Sequence, residues 1–151
     1  MKNFFYYLIV LSVLSSYACN KKKKVVEEIY SDGSPKIEKY YIGKDENKEM
    51  VQETRYYENK KKELVGEYKN NKRDGNWVYY YKNGKKWSEG SFVDGLDEGK
   101  RTVYFENGQK RYEGYYSNGK QIGLWKFWDE KGVLQKEVNY DKDSTNTVSK
   151  E

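Results

Sequence analysis

Between Tyr56 and Trp128 the chain runs in short segments where aromatic and aliphatic residues alternate with charged ones, and Gly, Asn and Asp close each segment. Trp77–Tyr81 and Arg111–Tyr116 are examples, rich in aromatics and of strand length. No segment keeps a 3.6-residue apolar period for three turns, so helices are not expected. Asn83-Gly84 and Asn107-Gly108 sit between strand-like runs and predict type I′ hairpin turns. A longer second connection is expected at Asp94–Gly99 and Asn118–Gly123.

These segments recur with a period of 24. YYKNGKKWSEGSFVDGLDEGKRTV, from Tyr80, is followed by YFENGQKRYEGYYSNGKQIGLWKF, from Tyr104. Gly84, Gly90, Gly95 and Gly99 fall over Gly108, Gly114, Gly119 and Gly123 without a gap. Fixed self-similarity of this length marks a repeat architecture. Upstream, Gly66, Gly75 and Tyr56-Tyr57 keep the spacing, while Asn59-Lys60 replaces Asn-Gly. A weak first unit begins at Tyr30, and an insertion of about three residues within Gly43–Met50 delays its successor. Downstream, Gly132 and Glu137 keep the period and the unit stops near Tyr140. Atypical end units are expected of caps. Lone hairpins are marginal in water, so the units must stack. The predicted fold is all-β: an elongated antiparallel β-meander of stacked hairpin repeats.

Period 2 places Trp77, Tyr79 and Tyr81 on one face with Trp125 and Phe127. Tyr80, Tyr104 and Trp128 lie on the other. Equivalent strands stand two spacings apart, about 9.6 Å, so these three residues form a stripe along the sheet. Gly66, Gly90 and Gly114 fall inside strands, where glycine leaves room for a neighbouring ring.

Composition sharpens this picture. Of the 151 residues, 35% are charged, and mean hydropathy is −1.17, values that lean towards disorder. Against that, 17% are aromatic, and disordered chains are poor in aromatics. Each buried ring contributes at most roughly 4–6 kcal/mol, so a ladder of rings can replace an aliphatic core. The net charge of +5 comes largely from Lys21–Lys24, and the other lysines alternate with acids along the strands. Nucleic-acid binding is therefore not expected.

Residues 1–18 read as a secretory signal peptide: Lys2, the apolar Phe4–Leu14, then Ser15-Ser16-Tyr17-Ala18 before Cys19. The segment resembles a bacterial lipobox, with Ser16 where leucine is usual. Cys19, the sole cysteine, is then the lipid-attachment residue, anchoring the chain in a membrane of the cell envelope. Residues 19–29 are expected to be the acylated cysteine and a basic tether, with a reach of at most ~35 Å for ten extended residues. Residues 30–140 form the repeat domain and residues 141–151 a disordered tail.

The repeats resemble MORN repeats in the bacterial variant form. Gly75-Asn76-Trp77 and Gly123-Leu124-Trp125 carry the Gly-x-Trp core, with Tyr68 and Tyr116 seven residues ahead of each glycine. The pattern departs at Arg101, where the aromatic is missing. The resemblance implies a non-catalytic module for membrane, lipid or protein contact, and some bacterial members are labelled antitoxins.

The chain has no histidine, which removes the commonest general base and metal ligand. Glu89, Glu113 and Glu137 recur at period 24, and identical carboxylates about 9.6 Å apart do not make distinct acid and base environments. They are expected to pair with strand lysines. No enzyme activity, cofactor, metal or small-molecule substrate is expected. The candidate partner-binding residues are Tyr80, Tyr104 and Trp128, with Trp77 and Trp125. The expected function is that of an envelope lipoprotein whose repeat sheet binds or scaffolds a protein or other envelope component. The alternative is an antitoxin or immunity-like protein that masks a toxin.

Overall fold

Aromatic and β-branched residues flanked by Asn, Asp and Gly dictate strands and tight turns, and the computed structural model contains ten strands. It describes residues 21–141; the signal segment, Cys19 and residues 142–151 of the expected tail lie outside the described residues. The strands are β1 (Lys23–Ile29), β2 (Pro35–Ile42), β3 (Glu49–Tyr56), β4 (Lys62–Lys69), β5 (Lys72–Tyr80), β6 (Lys86–Val93), β7 (Leu96–Tyr104), β8 (Lys110–Ser117), β9 (Lys120–Trp128) and β10 (Leu134–Asn139). They form one antiparallel sheet in the order β1 to β10, which is the expected meander. The insertion expected within Gly43–Met50 is a 3-10 turn at Asp45–Asn47.

The basic tether is shorter than expected. Lys23–Ile29 are β1, paired from Lys23↔Tyr41 to Ile29↔Pro35. Val25, Val26 and Ile29 give this stretch its β-propensity, which the lysine run before it obscured.

The turns exchange their expected roles. At Tyr81–Gly84 the Gly84 amide donates to the Tyr81 carbonyl (2.8 Å), and only Gly84, at φ 90°, is left-handed there. This is a type I turn followed by a glycine bulge, with the Asn83 side chain accepting from the Lys85 amide (2.8 Å). Type I′ geometry belongs to the other connection, where Asp94 and Gly95 have φ 50° and 91°, and Asn118 and Gly119 have 50° and 77°. Those loops are two residues long. Asn-Gly marks both turn types, and the difference lies in which residue follows the strand's last hydrogen bond.

The core lies on the face of Trp77 and Trp125. Leu64, Trp77 and Phe92 form its buried cluster, flanked by Tyr68 and Tyr79. Tyr68 and Phe92 meet the Trp77 indole edge-on at 5.2 and 5.8 Å, and Arg73 lies over it at 4.5 Å. Trp125 takes Tyr116 and Tyr140 edge-on and Tyr112 and Phe127 stacked against it. Interior glycines make this possible. A Cβ on Gly66 would come within 2.4 Å of the Trp77 ring, and one on Gly114 within 2.2 Å of the Trp125 ring. Each indole lies across the glycine of the preceding strand and donates to a backbone carbonyl of that strand, Glu67 or Tyr115.

Successive units are also tied at their turns. The hydroxyls of Tyr30, Tyr57 and Tyr81 donate to the carbonyls of Tyr56, Tyr80 and Tyr104 at 2.7–2.8 Å. The Asn59, Asn83 and Asn107 amides donate to the carbonyls of Lys82, Glu106 and Glu130. On the opposite side the Gly95 and Gly119 amides reach the Arg73 and Asp97 carbonyls. These bonds tie the turns of each unit to the neighbouring unit along both margins of the sheet.

Candidate functional site

Trp77 and Trp125 are only 2% and 1% exposed. This corrects their reading as partner-binding residues: they are the two most deeply buried side chains. The glycine seat lets each indole lie down on the sheet, so a single layer covers it.

Tyr80, Tyr104 and Trp128 do occupy equivalent positions, opposite Lys86, Lys110 and Leu134. All three are half-buried, and two are engaged within the sheet. The Tyr104 hydroxyl donates to Glu89 (2.5 Å), and the Lys110 ammonium stands 5.6 Å over the Trp128 ring. Burial first, then the Glu89 bond, pushes the Tyr104 phenol up to about 12. Tyr56 repeats this arrangement two units earlier: its hydroxyl donates to Glu38 (2.9 Å), and burial with that bond raises it to about 12. Tyr80 lacks a matching carboxylate, because Val65 stands where Glu38 and Glu89 stand in the neighbouring units.

The period-24 glutamates pair with lysines as expected. Glu89 meets Lys86 (2.6 Å), Glu113 meets Lys100 and Lys110 (3.2 and 2.6 Å), and Glu137 meets Lys126 (3.2 Å). Hydrogen bonds from Lys86, then from Tyr104, hold the Glu89 carboxyl below its usual range. Burial pushes Glu113 up, but its two lysines outweigh burial and hold it low. A hollow of about 410 Å³ on this face is lined by Val78, Glu89, Lys100, Thr102, Tyr104 and Lys110. The charged groups of its lining are engaged in ion pairs, Glu89 with Lys86, and Lys100 and Lys110 with Glu113. Among the described residues no cluster of Cys, Asp and Glu has the arrangement to hold a metal ion.

The aromatic face presents a different cleft, of about 280 Å³, beside the Trp77 cluster. Arg55, Tyr57, Arg73, Tyr79 and Trp87 line it. Trp87 is 45% exposed, with Tyr79 and Tyr81 at 5.7 and 6.4 Å. It is the extra residue of the bulge between Tyr79↔Ser88 and Tyr80↔Lys86. Sequence reasoning passed over it because its counterparts at period 24 are Glu63, Arg111 and Gln135. That mismatch is itself the signal: the repeat does not need an aromatic there, and this one is left open to solvent.

Arg101 replaces the tryptophan of the middle unit and takes the same seat. A Cβ on Gly90 would lie 3.0 Å from Arg101 Nε, and the guanidinium stands 5.3 Å from Phe92 and 5.8 Å from Tyr116. Ion-paired to Asp97, it joins the two aromatic clusters.

Comparison with known proteins agrees with this geometry. No curated protein matches the chain. Among solved structures, a mutant of S. aureus TarM in complex with fondaparinux, alpha-GlcNAc-glycerol and UDP aligns with a TM-score of 0.34 and 12% identity. That alignment covers 79% of this chain and 20% of the TarM chain. Residues 73–94, 97–120 and 121–142 match the MORN repeat variant family. The matched segments run in register with the structural units from β5 to β10. Residues 73–142 thus carry three consecutive repeats of the MORN repeat variant family on one antiparallel meander, an architecture that suggests a repeat-based binding or scaffolding role.

Proposed function

We propose that this chain is a non-catalytic lipoprotein of the cell envelope whose repeat sheet binds a protein partner at the cleft around Trp87. The observation that carries the reading is the exposure of Trp87 between Tyr79 and the arginine pair Arg55 and Arg73. Trp, Tyr and Arg are the residue types that dominate interface energetics. Here they surround a hollow whose floor, Trp77 and Leu64, is already rigidly packed. A partner that covers Trp87 gains apolar area without ordering a loop.

The anchor reading rests on the signal-like residues 1–18 and on Cys19. Because β1 begins at Lys23, only residues 20–22 lie between the acylated cysteine and the sheet, four residue steps in all. Four extended residues reach at most about 14 Å. The repeat domain then lies against the headgroups, and its partner is a membrane-associated or envelope protein.

Mass spectrometry of the mature N-terminus tests the anchor; a chain that retains residues 1–18 without acylation at Cys19 would overturn it. Affinity recovery from envelope extracts tests the site. The same protein should be recovered with wild type and lost with Trp87→Ala, and equal recovery by both would remove Trp87 from the interface.

A further inference from the structure

The two edges of the sheet fit one another in the register that the repeat itself uses. Among the described residues nothing pairs with the outer edge of β1 or of β10. Along the chain, hairpins closed by type I turns alternate with connections that are two-residue turns in every case but β2–β3, which holds the 3-10 turn. β1–β2 and β9–β10 are both hairpins of the first kind. A strand placed beyond β10 would therefore occupy the position of a β5, β7 or β9, and β1 is a strand of that class.

We infer that β10 of one chain pairs with β1 of a second copy, continuing the meander head to tail. The pairing follows from the internal units. In β8 and β9, Gly114 seats Trp125, Glu113 faces Lys126 and Tyr112 faces Phe127. One period later the first strand of such a pair reads Lys136, Glu137, Val138. In β1, Val25, Val26 and Glu28 stand where Trp125, Lys126 and Phe127 stand in β9, because they face Lys39, Glu38 and Ile37 as those residues face Val138, Glu137 and Lys136.

Val138 then meets Val25 of the second copy, and Lys136 meets Glu28, with Glu27 beside it in the β1 bulge. Val138 fills the seat that glycine keeps open elsewhere, so a tryptophan could not lie over it, whereas valine on valine fits. At the turn end Ile29 and Leu134, 62% and 46% exposed, come side by side. At the other end Lys21–Lys24 run beside Tyr140 and Asp141. At Val138 and Lys136, valine meets valine and lysine meets glutamate, with Glu137 opposite Val26 between them. The contact is heterologous, so the repeat of one copy continues into the next and the assembly is open-ended.

Disulfide trapping in the full-length, membrane-expressed protein tests this register. Opposed Cα atoms in an antiparallel pair stand about 4.5–5.5 Å apart, within disulfide reach. Two differently tagged chains, one carrying Val25→Cys and the other Val138→Cys, should form a mixed dimer on mild oxidation. A chain carrying both substitutions should give a ladder of dimers, trimers and higher species, and wild type none. Lys136→Glu in the Val138→Cys chain should lower the mixed dimer several-fold, and Glu28→Lys in the Val25→Cys chain should restore it. Absence of the mixed dimer from chains that reach the membrane at wild-type levels would overturn the proposal. So would dimers formed as readily by either single-cysteine chain alone, since that pattern denotes a symmetric contact.

Discussion

The indole of Trp125 lies across the backbone of Gly114, so close that a single methyl group on that glycine would sit 2.2 Å from the ring. The same relation joins Trp77 to Gly66, and between them Arg101 takes the seat over Gly90. This is how one sheet, with no second layer packed on it among the described residues, buries its two indoles almost completely.

Gly114→Ala should therefore destabilise the fold by about 1–3 kcal/mol, the usual cost of overpacking a rigid core. Gly90→Ala should cost much less, because its nearest neighbour is a flexible guanidinium at 3.0 Å. Urea midpoints of the two variants check the order, and a Gly90→Ala loss equal to that of Gly114→Ala would contradict it.

Removing the rings separates core from surface. Trp125→Ala should cost about 3–5 kcal/mol. Trp87→Ala, on the exposed bulge, should stay within about 0.5 kcal/mol. Thermal or urea unfolding measures both. A large loss for Trp87→Ala would mean that its conformation, and not a partner, accounts for its presence.

The tyrosine rungs stop one unit early. Tyr57 and Tyr81 donate to the carbonyls of Tyr80 and Tyr104, but Phe105 occupies the next position and has no hydroxyl. Phe105→Tyr should extend the series to the Trp128 carbonyl and stabilise the last unit by about 0.5–1.5 kcal/mol. Tyr81→Phe should destabilise by a similar amount. Hydrogen exchange of the β9 amides reports the local effect of Phe105→Tyr, and that of the β7 amides the effect of Tyr81→Phe.

Alkali should loosen the sheet in a defined window. Tyr56 and Tyr104 are raised from 10.0 to about 12 in the fold, so the native state holds these protons more tightly than the unfolded chain. Their contribution is complete below pH 10 and is lost as pH rises towards about 12. Stability followed by circular dichroism should fall across this interval, and Tyr104→Phe should make the fall shallower. An unchanged slope in that variant would show that the Glu89 contact does not couple to folding.

Much of this was written into the sequence. A side-chain period of 2 and a repeat period of 24 determine the antiparallel meander of stacked hairpins, because each unit can bury its rings only against its neighbours. The spacing of Gly66 and Gly114 foretold room for a ring, and the glutamate series foretold the lysine pairs. Other features depend on where side chains come to rest in three dimensions. Whether Trp77 is buried cannot be read from alternation alone, since period 2 assigns a face and not its cover. Arg73 and Phe92, brought in from neighbouring positions, supply that cover. The turn types hinge on one-residue shifts in hydrogen bonding, which composition does not report, and β1, read as part of the basic tether, emerges only through its pairing with β2. Trp87 owes its exposure to the bulge that turns it outward, a local geometry that only the paired strands create.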